Sequence, residues 1–123
     1  MFKRKKFDKS MILAAAIEFL KGEGFLKREI QAPWASLERP GLIHGQKEED
    51  AFYPDIHVNQ KGKQIIFDID PEGKGKIRKW KAFSNFVKSK SGEFFIIAPK
   101  SRFNKLSKLL KRNKIEAEII DIV

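Results

Sequence analysis

Residues 53–70 read YPDIHVNQKGKQIIFDID, and how this stretch folds back on itself decides the architecture. FYPDIHV, 52–58, reads as a strand with Pro54 near its start. NQKGK, 59–63, is a hairpin-like turn, and QIIFDID, 64–70, is a second strand. The second strand is apolar on both faces at first, which predicts a central place in a sheet. Side chains alternate along a strand, so Asp55 and His57 share one face, and Asp68 and Asp70 share one face. A tight hairpin then carries Asp55 close to Asp68. Carboxylates that converge repel one another unless a cation or a proton compensates.

Working outward, residues 9–22 predict a helix. Asp8 or Ser10 can cap it, Ile12, Leu13, Ala16, Ile17 and Leu20 form one apolar stripe, and Gly22 and Gly24 end it. FLKREIQAPW, 25–34, predicts a strand ending at Pro33, and residues 35–50 a long loop. Residues 76–89 fit a helix with Ile77, Trp80, Phe83 and Val87 inward. EFFIIAP, 93–99, is a short apolar strand. A helix over 102–112 follows, with Phe103, Leu106, Leu109 and Leu110 inward, and IEAEIIDIV, 115–123, closes the chain as a strand. The order α-β-β-β-α-β-α-β predicts an α/β chain with a mixed sheet. In it 52–58 pairs antiparallel with 64–70, and 64–70 runs parallel to 93–98. With 123 residues and no internal repeat or linker, the whole chain 1–123 is expected to be a single domain.

The composition narrows the chemistry. Cysteine is absent, which removes disulfides and thiolate metal sites and fits a reducing, cytoplasmic setting. KRKK at 3–6 precedes an apolar stretch, but Asp8, Lys9 and Glu18 interrupt it and no small-residue cleavage site follows, so no signal peptide and no membrane span is expected. The 26 Lys and Arg against 16 Asp and Glu leave a net charge of +10, which favours an anionic partner such as nucleic acid. No P-loop, no Gly-x-Gly-x-x-Gly and no Ser/His/Asp set occurs.

IIFDID resembles the first motif of haloacid dehalogenase-type phosphatases, in which the first Asp is the nucleophile. That family has Thr or Val where this chain has Glu72, and the later acids Glu93, Glu116, Glu118 and Asp121 do not form its second pair. A fuller likeness uses both strands. YPDIHV followed by IIFDID, in an α-β-β-β-α-β order, resembles the PD-(D/E)xK superfamily of nucleases. The resemblance implies a restriction endonuclease-like αβββαβ core with an added C-terminal α-β unit. It implies Asp55, Asp68 and Asp70 as metal-site acids for Mg²⁺ or Mn²⁺, with the Ile69 carbonyl as a further oxygen, and a metal-dependent phosphodiester hydrolase.

The chain departs from that pattern at one position. Asp70 stands where the motif has its lysine. Lys74, Lys76 and Lys81 are candidate replacements, and Asp70→Lys is expected to be tolerated or to raise activity. The other outcome is a catalytically inactive module that binds nucleic acid or a protein partner. The plainest reading also stays open: both acids face solvent, and Asp70-Pro71 starts an ordinary turn.

The helix after the aspartates carries a second face. Arg78, Lys81, Asn85 and Lys88 form one stripe, and Lys105, Lys108 and Arg112 form another on the last helix. Lys74, Lys76 and Lys79 crowd the turn and helix start beside the aspartates. The macrodipole at a helix N-terminus prefers anions, so a phosphate partner would offset this crowding. These cations predict backbone contact with nucleic acid, DNA favoured, against the alternative of a solvated lysine face. A homodimer or a larger complex would suit a nuclease with so short a core. His57 is expected to be a hydrogen-bonded strand residue.

Overall fold

The structure is a computed structural model and describes residues 9–34, 36–45 and 50–121. The expected cap Asp8, the basic run 3–6, loop residues 46–49 and the last two residues of the chain lie outside that range. Three helices, α1 (Lys9–Gly22), α2 (Ile77–Ser89) and α3 (Phe103–Arg112), pack on a mixed five-stranded sheet. In chain order the strands are β1 (Ile30–Gln31), β2 (Ile43–His44), β3 (Ala51–Phe52), β4 (Ile56–Gln60), β5 (Lys63–Ile69), β6 (Glu93–Ile97) and β7 (Glu118–Ile120). The main sheet runs β1-β4-β5-β6-β7, and β2 and β3 form a separate two-stranded piece.

The hairpin comes from β4 and β5. They pair antiparallel from Ile56 opposite Phe67 to Gln60 opposite Lys63, around a turn with Lys61 and Gly62 at positive φ. β5 then pairs in parallel with β6, and β6 with β7. This sheet moves in one direction across two parallel steps, so right-handed crossovers put both connecting helices on one face. There α2 and α3 bury Trp80, Phe83, Val87, Leu106 and Leu110 against Ile66, Phe94 and Ile96. The opposite face carries α1, whose stripe of Ile12, Leu13, Ala16, Ile17 and Leu20 packs on Ile56, Val58, Ile65, Phe67 and Ile69. Along β5 the odd positions 65, 67 and 69 face α1, and Ile66 and Asp68 face α2, as a period of two requires. The strand covered on both faces is the one that is apolar on both faces in sequence.

Several local expectations change. The 25–34 strand shrinks to β1, because a 3₁₀ turn over Lys27–Glu29 intervenes and the Leu26 N–H donates to Glu29 Oε1 at 2.7 Å. The 52–58 strand divides at Tyr53–Asp55: Pro54 has no N–H for a ladder, so β3 turns away to pair with β2 while β4 begins at Ile56. The 35–50 loop contains β2, whose Ile43 is buried against the α2 side of the core. The last strand pairs only over Glu118–Ile120, since Ile115 is buried in the core beneath α3. Ile77 is exposed and Phe103 half-buried rather than inward. No helix among the described residues is long and apolar enough to cross a membrane.

Gly92 closes the join between α2 and β6. A Cβ there would lie 2.1 Å from the backbone oxygen of Gln64. Gly92→Ala should therefore push β5 and β6 apart at their start and destabilise the fold by about 1–3 kcal/mol, read by chemical denaturation.

Candidate metal and nucleic-acid site

The hairpin register brings two acids together. Ile56 sits opposite Phe67, so Asp55, one residue earlier, falls opposite Asp68 on the same face of the sheet. Both are buried, Asp68 completely. The two carboxylates are close enough for each to shift the other's titration. Asp55 also accepts the Ile69 N–H at 2.8 Å and pairs with Lys9 at 2.7 Å, reaching from the start of α1.

Asp68 is held from α2. The Trp80 indole N–H donates to Asp68 Oδ2 at 2.7 Å. Lys79 Nζ stands 2.9 Å from Oδ1, an ion-pair contact off the direction of a hydrogen bond, so Oδ1 has no hydrogen-bond donor among the described residues. Lys76 Nζ lies 3.6 Å from Oδ2 and donates to the Ile69 carbonyl at 3.2 Å. Burial pushes the Asp68 carboxyl above the usual carboxylate range; Lys79 opposes this, the Asp55 charge adds to it, and Lys76 opposes it. Burial also pushes Asp55 up, but its bonds to Asp68, Lys9 and the Ile69 amide outweigh that and leave it lowered. The pair is thus divided into one acid that holds its charge and one that resists it.

Asp70 does not join them. Beyond the strand end its carboxylate accepts the backbone N–H of Lys74 at 3.3 Å and of Gly75 at 2.8 Å, and its own N–H donates to the Ile97 carbonyl. It closes the turn that launches α2. Gly75 is needed in this turn: φ is +88°, and a Cβ would meet Leu109 Cδ2 at 2.4 Å. Among the described residues no three Asp, Glu or His side chains converge as a metal cluster. The oxygens that do converge are the Asp55 and Asp68 carboxylates and the Ile69 carbonyl. They form a hard-donor set of the kind Mg²⁺ takes alongside waters.

The expected cations divide by helical phase. On α2, Lys79 and Phe83 fall within about 40° of one another, on the side facing the acids, with Lys76 just before the helix, whereas Lys81 and Asn85 lie on the opposite side. Lys81 therefore makes no contact with the aspartates. It lines a polar recess of about 440 Å³ with Arg78, Asn85, Asn113 and Lys114. Arg78 pairs with Asp50, and Lys88 with Glu116 at 3.3 Å. A second groove of about 450 Å³ opens at the start of α2 between Phe52, Lys74, Lys76, Ile77, Arg78 and Lys79. Lys74 is exposed there and pairs with Glu72 at 2.7 Å. Lys105, Lys108 and Arg112 are exposed on α3. His57 lies clear of the acids, bonded through Nε2 to Gln64 Oε1 at 2.5 Å and edge-on to Phe86, and burial holds its pKa below the usual histidine value.

Lys9 and Trp80 were not read as site residues from the sequence, and Lys79 was read as a cation beside the aspartates but not as the partner of Asp68. A signal existed for Lys79 and Trp80. Lys79 follows Lys76 by three residues and adjoins the inward-facing Trp80, so it shares the side of α2 that meets β5. Lys9 gave none, because its contact depends on how α1 lies across the sheet.

Because Asp70 holds two turn amides, Asp70→Lys should cost stability rather than restore a motif. The expected loss is about 2 kcal/mol from hydrogen bonds to a charged, buried acceptor, measured as a lowered denaturation midpoint. Asp70→Asn, which keeps one acceptor oxygen, should lose less.

No protein-family model, no curated protein and no solved structure matches this chain.

Proposed function

We propose that the chain is a nucleic-acid-binding domain of restriction endonuclease-like build that hydrolyses phosphodiesters with Mg²⁺ or Mn²⁺, with DNA as the favoured substrate. One observation carries this reading. Two buried carboxylates stand opposite each other on paired strands, beside a strand-end carbonyl, with Asp68 Oδ1 lacking a hydrogen-bond donor among the described residues and a lysine supplied from the next helix. The α1-β1-β4-β5-α2-β6 order supports it, with α3 and β7 as the added unit.

The donor set fits a hard divalent ion, which Asp55, Asp68 and the Ile69 carbonyl would hold. Such an ion would supply positive charge against a phosphoryl oxygen and lower the pKa of a bound water. The chain itself supplies the rest. Lys79 takes the place of the motif lysine, its ammonium fixed at Asp68 and over the Phe83 ring, where it can hold a water or a phosphate oxygen. Lys74 and Arg78 line the adjoining groove and would meet the backbone there, while Lys81, Lys105, Lys108 and Arg112 extend the positive surface along α2 and α3.

A second reading has its own observation. Lys9, Lys76 and Lys79 already neutralise the two carboxylates without any metal, which suits a module that binds nucleic acid and does not cut it.

Cleavage of plasmid, linear duplex, single-stranded DNA and RNA with Mg²⁺ or Mn²⁺ separates the two. Under the first reading Asp68→Asn and Lys79→Met abolish cutting while binding persists. Under the second, the wild type binds but never cuts. In both, affinity falls steeply with salt, because each neutralised phosphate releases a counterion, and Lys81→Glu with Lys108→Glu weakens all sequences alike. Salt-independent binding, or cutting that survives Asp55→Ala with Asp68→Ala, would overturn the assignment.

A further inference from the structure

The two lysines at the start of α2 that touch Asp68, Lys76 and Lys79, are not equivalent. Lys79 is the more buried of the two, pairs with Oδ1 at 2.9 Å and lies 5.6 Å from the centre of the Phe83 ring. Lys76 is about twice as exposed and bridges two different oxygens, Asp68 Oδ2 and the Ile69 carbonyl. They belong to two of the three groups, the Asp68 carboxylate and the Ile69 carbonyl, that would hold a divalent ion. An ammonium at 3.2–3.6 Å from both is a monovalent stand-in for that ion. Lys76 also lines the groove at the start of α2, together with Lys74 and Arg78. Its flexible four-carbon stem thus has an open volume to enter when the ammonium leaves the acids.

We propose that Lys76 is a displaceable internal cation: it occupies the divalent-ion position between Asp68 and the Ile69 carbonyl, and metal binding expels its ammonium into the basic groove, where it becomes a contact for a nucleic-acid phosphate. The inference rests on the metal-site reading above and adds its regulation. Two consequences follow from linkage. Without nucleic acid, Lys76 competes with the metal and weakens it. With nucleic acid present, the expelled ammonium gains a phosphate partner, so metal and nucleic acid each strengthen the other's binding by the same factor. A site of this kind stays closed to stray divalent ions until its polyanionic ligand arrives.

The test is a titration of the full chain with Mn²⁺, following free Mn²⁺ by electron paramagnetic resonance, without nucleic acid. Lys76→Met should bind Mn²⁺ more tightly than the wild type by about tenfold, within the ordinary range of coupling between sites. Lys76→Gln keeps a donor for the Ile69 carbonyl without the charge and should fall on the same side, which preserves the test if the methionine variant folds poorly. Fluorescence anisotropy with a labelled DNA duplex provides the second readout. Mn²⁺ should raise the wild-type affinity for DNA, and this gain should shrink in both variants. Equal or weaker Mn²⁺ binding by the variants, with the wild type binding measurably, overturns the displacement proposal and leaves the metal site standing. No Mn²⁺ binding by any of the three, with or without DNA, overturns the metal site and the proposal with it.

Discussion

A carboxylate without exposure at the end of a central strand is the constraint on which this structure turns. Moving an isolated charge of that kind out of water costs several kcal/mol even after the protein relaxes. Asp68 meets the cost with one indole hydrogen bond and two ammonium groups, all three from within five positions at the start of α2. The helix is therefore fixed to the sheet by charge at its beginning and by apolar packing along Phe83 and Val87 further on. The Gly73–Gly75 turn and its Asp70 cap have to deliver α2 at the correct phase, because a helix rotated by one residue would turn the lysines about 100° away.

The second acid makes the arrangement asymmetric. Asp55 sits at a break in its strand and draws on a backbone amide and a lysine from the other layer, so it keeps its charge more readily than Asp68. A proton or a cation arriving at this pair thus meets two unlike sites rather than a symmetric clamp. The same asymmetry explains why three lysines with different exposure serve two carboxylates.

Much of this was legible in the residues. The hairpin and the parallel partner of β5 followed from alternation and from a run that is apolar on both faces. The approach of Asp55 to Asp68 was expected from the hairpin, but the turn is the two residues Lys61 and Gly62 rather than 59–63, and the register it sets is what puts the two acids opposite each other. What could not be read depended on contacts distant in sequence. The Lys9–Asp55 pair spans two layers, and no local pattern encodes how α1 crosses the sheet. Asp70 looked like a partner of Asp68 by alternation, but the strand ends at Ile69 and two unpaired turn amides captured its carboxylate. The short β2–β3 piece was hidden because two-residue strands carry no period. Helical phase did separate Lys79 from Lys81, yet only once the buried side of α2 was anchored by Trp80.

The two-residue turn between β4 and β5 has a kinetic side. It closes the shortest loop in the sheet, so the hairpin has the lowest entropy cost of any strand pair. The parallel partners of β5 and β6 must wait for whole helices to be spanned. Where the hairpin closes first, the two aspartates meet before Lys9, Lys76 and Lys79 reach them, and their mutual repulsion weighs on the isolated hairpin until α1 and α2 dock. The acid pair then acts against partial structure: a hairpin without its helix is penalised, and the domain gains cooperativity from the residues that would otherwise weaken it.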